Sequence, residues 1–205
     1  LNITYEVVFN EKLIPNSKYV NTANITEYYA SLTAGSENYV DPTNATYHST
    51  AEVKTSSFDF SKEYVKSNDT LDSLKNLTIG ETGIWYLNVT LPKNLNVTNL
   101  TIEDILPKGF LYTNLTISTT SENESFKAFL NDFTVTNKTS TTSNGNTVII
   151  KFNKDYFSST SEKFTITLYS VVTENATSRE VPSVNLTNKA NLKWATGAEN
   201  YTISK

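Results

Sequence analysis

The chain has 205 residues, a net charge of -4 and no cysteine, which excludes disulfides, thiolate metal ligands and a cysteine nucleophile. A single histidine, His48, and a single arginine, Arg179, argue against a zinc site, a histidine-based triad and a phosphate-binding basic face. We therefore expect no cofactor, no nucleic acid partner and, since no apolar run approaches about 20 residues, no transmembrane segment.

The first nine residues alternate with the period of a β-strand, and a polar break at residues 10–12 follows. One face of this strand is apolar and consists of Leu1, Ile3, Tyr5, Val7 and Phe9. It has two interpretations, an ordinary first strand of its own sheet or a donor strand that fills a groove in the next subunit. The second interpretation predicts a donor strand and linker at residues 1–12 and a β-sandwich body at residues 13–205.

Further strand-like runs recur at close spacing, which favours an all-β fold of antiparallel sandwich type. They cover residues 25–33, 46–58, 83–91, 97–106, 110–118, 126–136, 147–152, 163–173 and 183–196. No helical period persists for about 11 residues. The tract 66–73 is the one plausible internal boundary by composition, and Asn144-Gly145-Asn146 predicts a tight turn.

The acceptor pattern for N-glycosylation, Asn-x-Ser/Thr, is unusually frequent. With 25 asparagines, 32 threonines and 21 serines, random placement would give about six or seven copies, roughly half the number present. The acceptors are Asn2, Asn24, Asn44, Asn68, Asn76, Asn88, Asn96, Asn99, Asn114, Asn123, Asn137, Asn175, Asn185 and Asn200. This excess predicts covalent N-linked glycans and an extracellular location.

Strand parity supports an outward direction for several acceptors. Asn88 has the parity opposite to the apolar set that begins at Trp85, and Asn185 opposes the set that begins at Val184. Asn114 likewise opposes the apolar set Leu111, Leu115 and Ile117. Ordinary outward-facing strand residues would show the same parity, so the excess in number carries the prediction.

Residues that could carry chemistry are few. Glu103 and Asp104 are adjacent in a predicted strand, so they point to opposite faces and cannot flank one bond. Asn38, Asp41 and Asn44 match no calcium-loop spacing and are interpreted as a solvated turn, and His48 as a surface residue. A lysine–asparagine isopeptide crosslink is compatible with the abundance of both residue types, but the sequence selects no pair.

Three segments resemble an immunoglobulin-like repeat of prokaryotic cell-surface proteins. They are the strand 83–92 that ends in proline, the segment Asp104-Ile105-Leu106-Pro107-Lys108-Gly109 before an aromatic strand, and the closing strand Asn188-Lys189-Ala190. Pro107 and Gly109 are expected to turn the chain between two strands, with Asp104 capping the turn. The resemblance covers about residues 74–196 and implies an immunoglobulin-like or pilin-like sandwich.

Together, the amino-terminal strand, the dense threonine sequons, the absence of cysteine and the surface-repeat motif resemble the subunit of the archaeal thread. The resemblance implies a glycosylated, pilus-like cell-surface filament in which identical subunits join head to tail through donor strands. Two alternatives stay open: a monomeric glycosylated adhesin or surface-layer module, and a secreted carbohydrate-active enzyme. No carboxylate pair across a groove is identified, so we expect a structural protein and no enzyme.

Overall fold

The computed structural model describes residues 4, 6, 17–25, 47–55, 58–66, 77–139, 145–176 and 187–205. Their strands are β1 Lys18–Ile25, β2 Tyr47–Lys54, β3 Asp59–Lys66, β4 Thr82–Leu91, β5 Leu95–Ile105, β6 Phe110–Ser118, β7 Phe133–Lys138, β8 Thr147–Phe152, β9 Tyr156–Ser158, β10 Glu162–Val172, β11 Lys189–Thr196 and β12 Glu199–Ser204. One α-helix, α1, spans Glu124–Leu130, and a 3₁₀ turn spans Glu174–Ala176.

The chain divides into two compact units, Leu13–Ser56 and a larger unit of Leu1–Lys12 with Ser57–Lys205. In the smaller unit, β1 and β2 pair antiparallel from Lys18 opposite Lys54 to Ile25 opposite Tyr47. The predicted division into a donor strand with its linker (residues 1–12) and a β-sandwich body (residues 13–205) stays a prediction. Residues 1–3, 5 and 7–16 lie outside the described residues.

The larger unit is a β-sandwich of two antiparallel sheets, which confirms the predicted fold class. The first sheet has the order β3-β4-β10-β6, and the second has the order β12-β11-β5-β8-β7 with β9 paired to β5. Both sheets contribute to one hydrophobic core, for example Leu87 and Ile166 from the first and Ile102, Ile150 and Leu192 from the second. Burial of these apolar faces stabilises the stacked sheets.

The period-2 patterns place side chains as predicted in β4. Leu87, Val89 and Leu91 are buried, whereas Asn88 and Thr90 are half-buried on the other face. Asn88 accepts a hydrogen bond from Thr165 Oγ1 of the neighbouring β10 at 2.8 Å.

In β6 the predicted inward direction of Leu111 is wrong, since its side chain is 44% exposed. The register between β6 and β10 shifts where Tyr169 faces Asn114 and Ser170 faces Tyr112, which leaves Thr113 as an extra residue. Such a β-bulge reverses strand parity, so Leu115 is buried and Leu111 lies on the opposite face.

The predicted strand over residues 126–136 is also wrong at its start, because α1 occupies Glu124–Leu130 and β7 begins only at Phe133. Phe126, Phe129 and Leu130 are buried at the helical spacing i, i+3 and i+4. Seven residues are too few to show a helical period over 11 residues, which explains why the pattern predicted a strand.

The turn between β5 and β6 is confirmed. Phe110 N donates to Pro107 O at 3.1 Å, and Gly109 has a φ of +82°, a conformation that glycine adopts readily. Gly109 also lies against the 3₁₀ turn, because a Cβ at this position would be 2.1 Å from Ala176 N. No larger residue fits here without moving the backbone.

Strands β3, β9 and β12 were not predicted from the sequence, and neither was β1 apart from its last residue, Ile25. In β3, Phe60 and Tyr64 are buried on one face, with Lys62 between them on the same face. The lysine interrupts the apolar alternation and so weakens the strand pattern. In β12, Tyr201 and Ile203 are only partly buried against the core.

Candidate functional site

A buried cluster of three polar side chains lies between the two sheets, and Lys62 of β3 is its cation. Lys62 shares the core-facing side of β3 with Phe60 and Tyr64, and its side chain is only 7% exposed. Because β3 is an edge strand of the first sheet, the lysine stem extends from that edge into the apolar interior. Burial of a lysine ammonium is costly unless a partner is present.

The partner is Asp104 of β5, in the opposite sheet. Asp104 has the same core-facing parity as Leu100 and Ile102, and its side chain is fully buried. Lys62 Nζ donates to Asp104 Oδ2, while Asp104 Oδ1 has no hydrogen-bond partner. The predicted turn-capping role of Asp104 is therefore wrong, because its carboxylate is directed into the core.

The adjacent Glu103 points outward, as predicted. Its Oε2 forms an ion pair with Lys193 Nζ at 2.6 Å, and both side chains are partly exposed. The two neighbouring carboxylates thus have separate environments and cannot act on one bond as an acid–base pair.

The third member of the cluster is Asn188, the residue immediately before β11. Strand β11 pairs with β5 so that Ala190 faces Asp104, which brings Asn188 to the same end of these strands. Both polar atoms of the Asn188 amide are buried and have no hydrogen-bond partner. The amide lies near enough to Asp104 to lower its pKa, although no donor–acceptor pair between them has hydrogen-bond geometry.

Aromatic side chains enclose the lysine end of the cluster. Lys62 Nζ lies 5.4 Å from the centroid of the Trp85 ring, and the rings of Trp85 and Tyr64 are 5.0 Å apart. The Trp85 Nε1–H donates to Ser170 Oγ at 3.1 Å and is therefore directed away from Lys62. The contact of Lys62 Nζ is with the π face of the indole ring. These rings limit the access of water to Nζ.

Burial shifts both pKa values of the ion pair toward the neutral forms. Loss of solvation lowers the pKa of Lys62 from its usual 10.5, against an opposing effect of Asp104. Loss of solvation raises the pKa of Asp104 from 3.8, against the opposing effects of Lys62 and Asn188. The cluster therefore favours a neutral amine beside a neutral carboxyl more than two exposed groups would.

The unsatisfied atoms make this cluster unusual for a purely structural ion pair. A buried polar group without a hydrogen bond costs about 1–3 kcal/mol, and here Asp104 Oδ1, Asn188 Oδ1 and Asn188 Nδ2 all lack one. Native interiors contain few such groups, so their concentration in one place indicates a functional site.

Sequence analysis had identified two of the three residues without their role. Asp104 and Asn188 are the first residues of two of the three segments that resemble a surface repeat, whereas Lys62 lies outside the region of about residues 74–196. The pattern Phe60-Ser61-Lys62-Glu63-Tyr64, with a lysine at an apolar position, was the one signal available for it.

The described glycosylation acceptors are mostly accessible. Seven of them are exposed: Asn24, Asn96, Asn99, Asn114, Asn137, Asn175 and Asn200. Asn88 is half-buried on the outer face of β4. The acceptors Asn2, Asn44, Asn68, Asn76 and Asn185 lie outside the described residues.

Asn123 differs from the exposed acceptors because its amide is engaged on both sides, and unlike Asn88 it also caps a helix. Its Oδ1 accepts from the backbone N–H of Ser125 and Phe126 at the start of α1, at 3.1 and 3.3 Å. Its Nδ2 donates to Tyr156 Oη and Glu162 Oε1, both at 3.1 Å. A glycan on Nδ2 would replace one of these donated hydrogens.

We expect Asn123 to carry no glycan in the folded protein while the exposed Asn114 does. Glycopeptide mapping of protein from its native source measures the occupancy of each acceptor, and Asn114 is the internal control. Full occupancy at Asn123 would contradict the prediction, since a glycosylated Nδ2 has one hydrogen left and cannot donate to both Tyr156 and Glu162.

Other predicted features have mixed outcomes. His48 is exposed on β2, as expected of a surface residue. The apolar face Leu1, Ile3, Tyr5, Val7 and Phe9 and the residues Asn38, Asp41 and Asn44 lie outside the described residues. Within the described ranges, no group of three metal-ligating side chains occurs, and no helix there is long and apolar enough to span a membrane.

Solved structures with a similar fold come from bacterial surface proteins. The major pilin SpaD of Corynebacterium diphtheriae is similar over 74% of this chain and 34% of its own, with a TM-score of 0.49 and 15% identity. The pilus backbone RrgB of Streptococcus pneumoniae is similar over 68% of this chain and 52% of its own, with a TM-score of 0.43 and 12% identity.

A third similar structure is the collagen-binding domain of a Staphylococcus aureus adhesin, which matches over 73% of this chain and 98% of its own. Its TM-score is 0.39 and its identity is 16%. No protein-family model and no curated protein matches the sequence. This chain spans about a third to a half of the length of the two pilin structures.

Proposed function

We propose that the protein is a structural subunit of an extracellular, pilus-like filament, N-glycosylated and joined head to tail by donor strands. The observation that carries the surface location is the set of seven exposed acceptor asparagines, six of which lie in the sandwich unit. The proposal of donor-strand polymerisation rests on the apolar face of residues 1–9, because an apolar strand face of this kind needs a groove to cover it.

The positions of the acceptors on the sheets support growth from end to end. Strands β3 and β6 are the edges of the first sheet, and β7 and β12 are the edges of the second. Three of these four edges carry an exposed acceptor: Asn114 on β6, Asn137 on β7 and Asn200 on β12. Glycans there would prevent lateral pairing between sheet edges, which is a general hazard for exposed strands.

Substitution of Ile3 by Asp tests the donor strand. We expect Ile3→Asp to leave the body folded and to abolish filaments, because the charge would be buried in the groove of the next subunit. Negative-stain electron microscopy measures filament yield. Thr4→Asp is the matched control, since Thr4 is exposed and has the opposite strand parity, and filaments should persist.

A peptide of residues 1–10 provides a second measurement. Added to a subunit that lacks these residues, it should raise the temperature of unfolding by occupying the open groove. Normal filament yield from Ile3→Asp would end the donor-strand proposal. A fall in the stability of isolated Ile3→Asp subunits would instead indicate that the strand pairs within its own sheet, as in a monomeric adhesin or surface-layer module.

A further inference from the structure

We propose that Lys62 and Asn188 become joined by an isopeptide bond inside the folded subunit, with Asp104 as the catalytic proton carrier. The inference rests on the buried cluster itself and does not depend on filament assembly. It selects one lysine and one asparagine from the many that the sequence contains.

Geometry brings the three reacting groups together in one enclosed place. Lys62 Nζ donates to Asp104 Oδ2, and the Asn188 amide is close enough to Asp104 to influence its pKa. The Asn188 amide has no hydrogen-bond partner, so no interaction holds it away from an attacking amine. Held reactants of this kind react as if at very high concentration.

The reaction balances without any added reagent. A proton passes from Lys62 Nζ to Asp104 Oδ2, which leaves a neutral amine. Nζ then attacks Cγ of Asn188 and forms the new C–N bond, while the carboxyl of Asp104 polarises the amide carbonyl. The Cγ–Nδ2 bond breaks as the proton on Asp104 passes to Nδ2, and ammonia leaves. The second proton of Nζ passes to Asp104, so the products are a neutral secondary amide, ammonia and a protonated Asp104.

The environment favours each of these roles. Burial lowers the pKa of Lys62 and raises the pKa of Asp104, which favours the neutral amine that can attack and the protonated carboxyl that can donate. The aromatic rings of Trp85 and Tyr64 and the surrounding core exclude water. Hydrolysis of the product is therefore disfavoured, and the ammonia is lost to solvent.

The bond would link the two sheets of the sandwich. Lys62 belongs to β3, an edge of the first sheet, and Asn188 directly precedes β11 of the second sheet. A covalent link here encloses most of the body in one loop, which restricts the unfolded chain in the way that a disulfide does.

Intact mass spectrometry of the full chain, produced without glycosylation, tests the proposal. We expect the wild-type protein to be lighter than its sequence mass by one ammonia, and Lys62→Arg and Asn188→Ala to have their full masses. Asp104→Asn should retain full mass or react far more slowly. Lys193→Arg and Asn191→Ala are the matched controls on β11, and both should lose ammonia as the wild type does.

Tryptic digestion then locates the bond. We expect one linked species that contains residues 55–66, uncleaved after Lys62, joined to residues 180–189. The melting temperature of Asn188→Ala should fall by about 10 °C or more relative to wild type. A full sequence mass for the folded wild-type chain overturns the proposal. A loss of ammonia confined to one linear peptide, as in cyclisation at Asn144-Gly145, overturns it as well.

Discussion

Asp104→Ala is expected to lower the free energy of unfolding by about 3–5 kcal/mol, because it leaves the Lys62 amine buried without a partner. The effect is best measured in Asn188→Ala protein, where no amide bond to Lys62 can form. Denaturant unfolding, followed by the fluorescence of Trp85 and Trp194, gives the difference between the single and the double variant.

Glu103→Ala in the same background is the matched control. Glu103 is the neighbouring carboxylate, and its ion pair with Lys193 is partly exposed, so its loss should cost less than about 1 kcal/mol. Equal effects at residues 103 and 104 would contradict the buried environment assigned to Asp104. Such a result would also remove the basis for a reactive Lys62.

Gly109→Ala is expected to destabilise the sandwich by about 2–5 kcal/mol for two separate reasons. The φ of +82° at Gly109 is unfavourable for a residue with a side chain, and the added Cβ would meet Ala176 N at 2.1 Å. The contact is with backbone atoms of the 3₁₀ turn, so the neighbour cannot move away by changing a rotamer. Thermal unfolding measures the change.

Gly80→Ala separates the two causes. Gly80 has a similar φ of +87°, but nothing lies within 4 Å of a Cβ built on it. Only the conformational cost of about 1–2 kcal/mol should appear there. If both substitutions have the same effect, the close packing of the β5–β6 turn against the 3₁₀ turn does not contribute to stability.

The proposed isopeptide bond and the proposed glycans would stabilise the protein in two different ways. Exposed acceptor asparagines lie on three sheet edges, where glycans would keep those edges from pairing with other chains. The Lys62–Asp104–Asn188 cluster acts inside the sandwich, where it connects the sheets. In a chain without cysteine, an isopeptide bond would supply the covalent link that a disulfide provides elsewhere.

Much of the sandwich followed from sequence because its strands obey a period of two. The bounds of β6 and β8 agree with the predicted runs, and those of β4, β5 and β10 agree to within two residues. Patterns of this kind report only the local environment of a strand. They therefore predicted the outward acceptor on β4, and they failed at Leu111, where a bulge in the pairing with β10 reverses the parity.

The sequence alone determined the all-β class, the acceptor asparagines, the turn at Pro107 and Gly109, and the separate faces of Glu103 and Asp104. Only the tertiary structure could decide which polar residues meet. Lys62, Asp104 and Asn188 belong to distant segments, and their association depends on how β3 of one sheet stacks over β5 and β11 of the other. Strand periodicity specifies which face of a strand is buried, and sheet packing specifies what that face contacts.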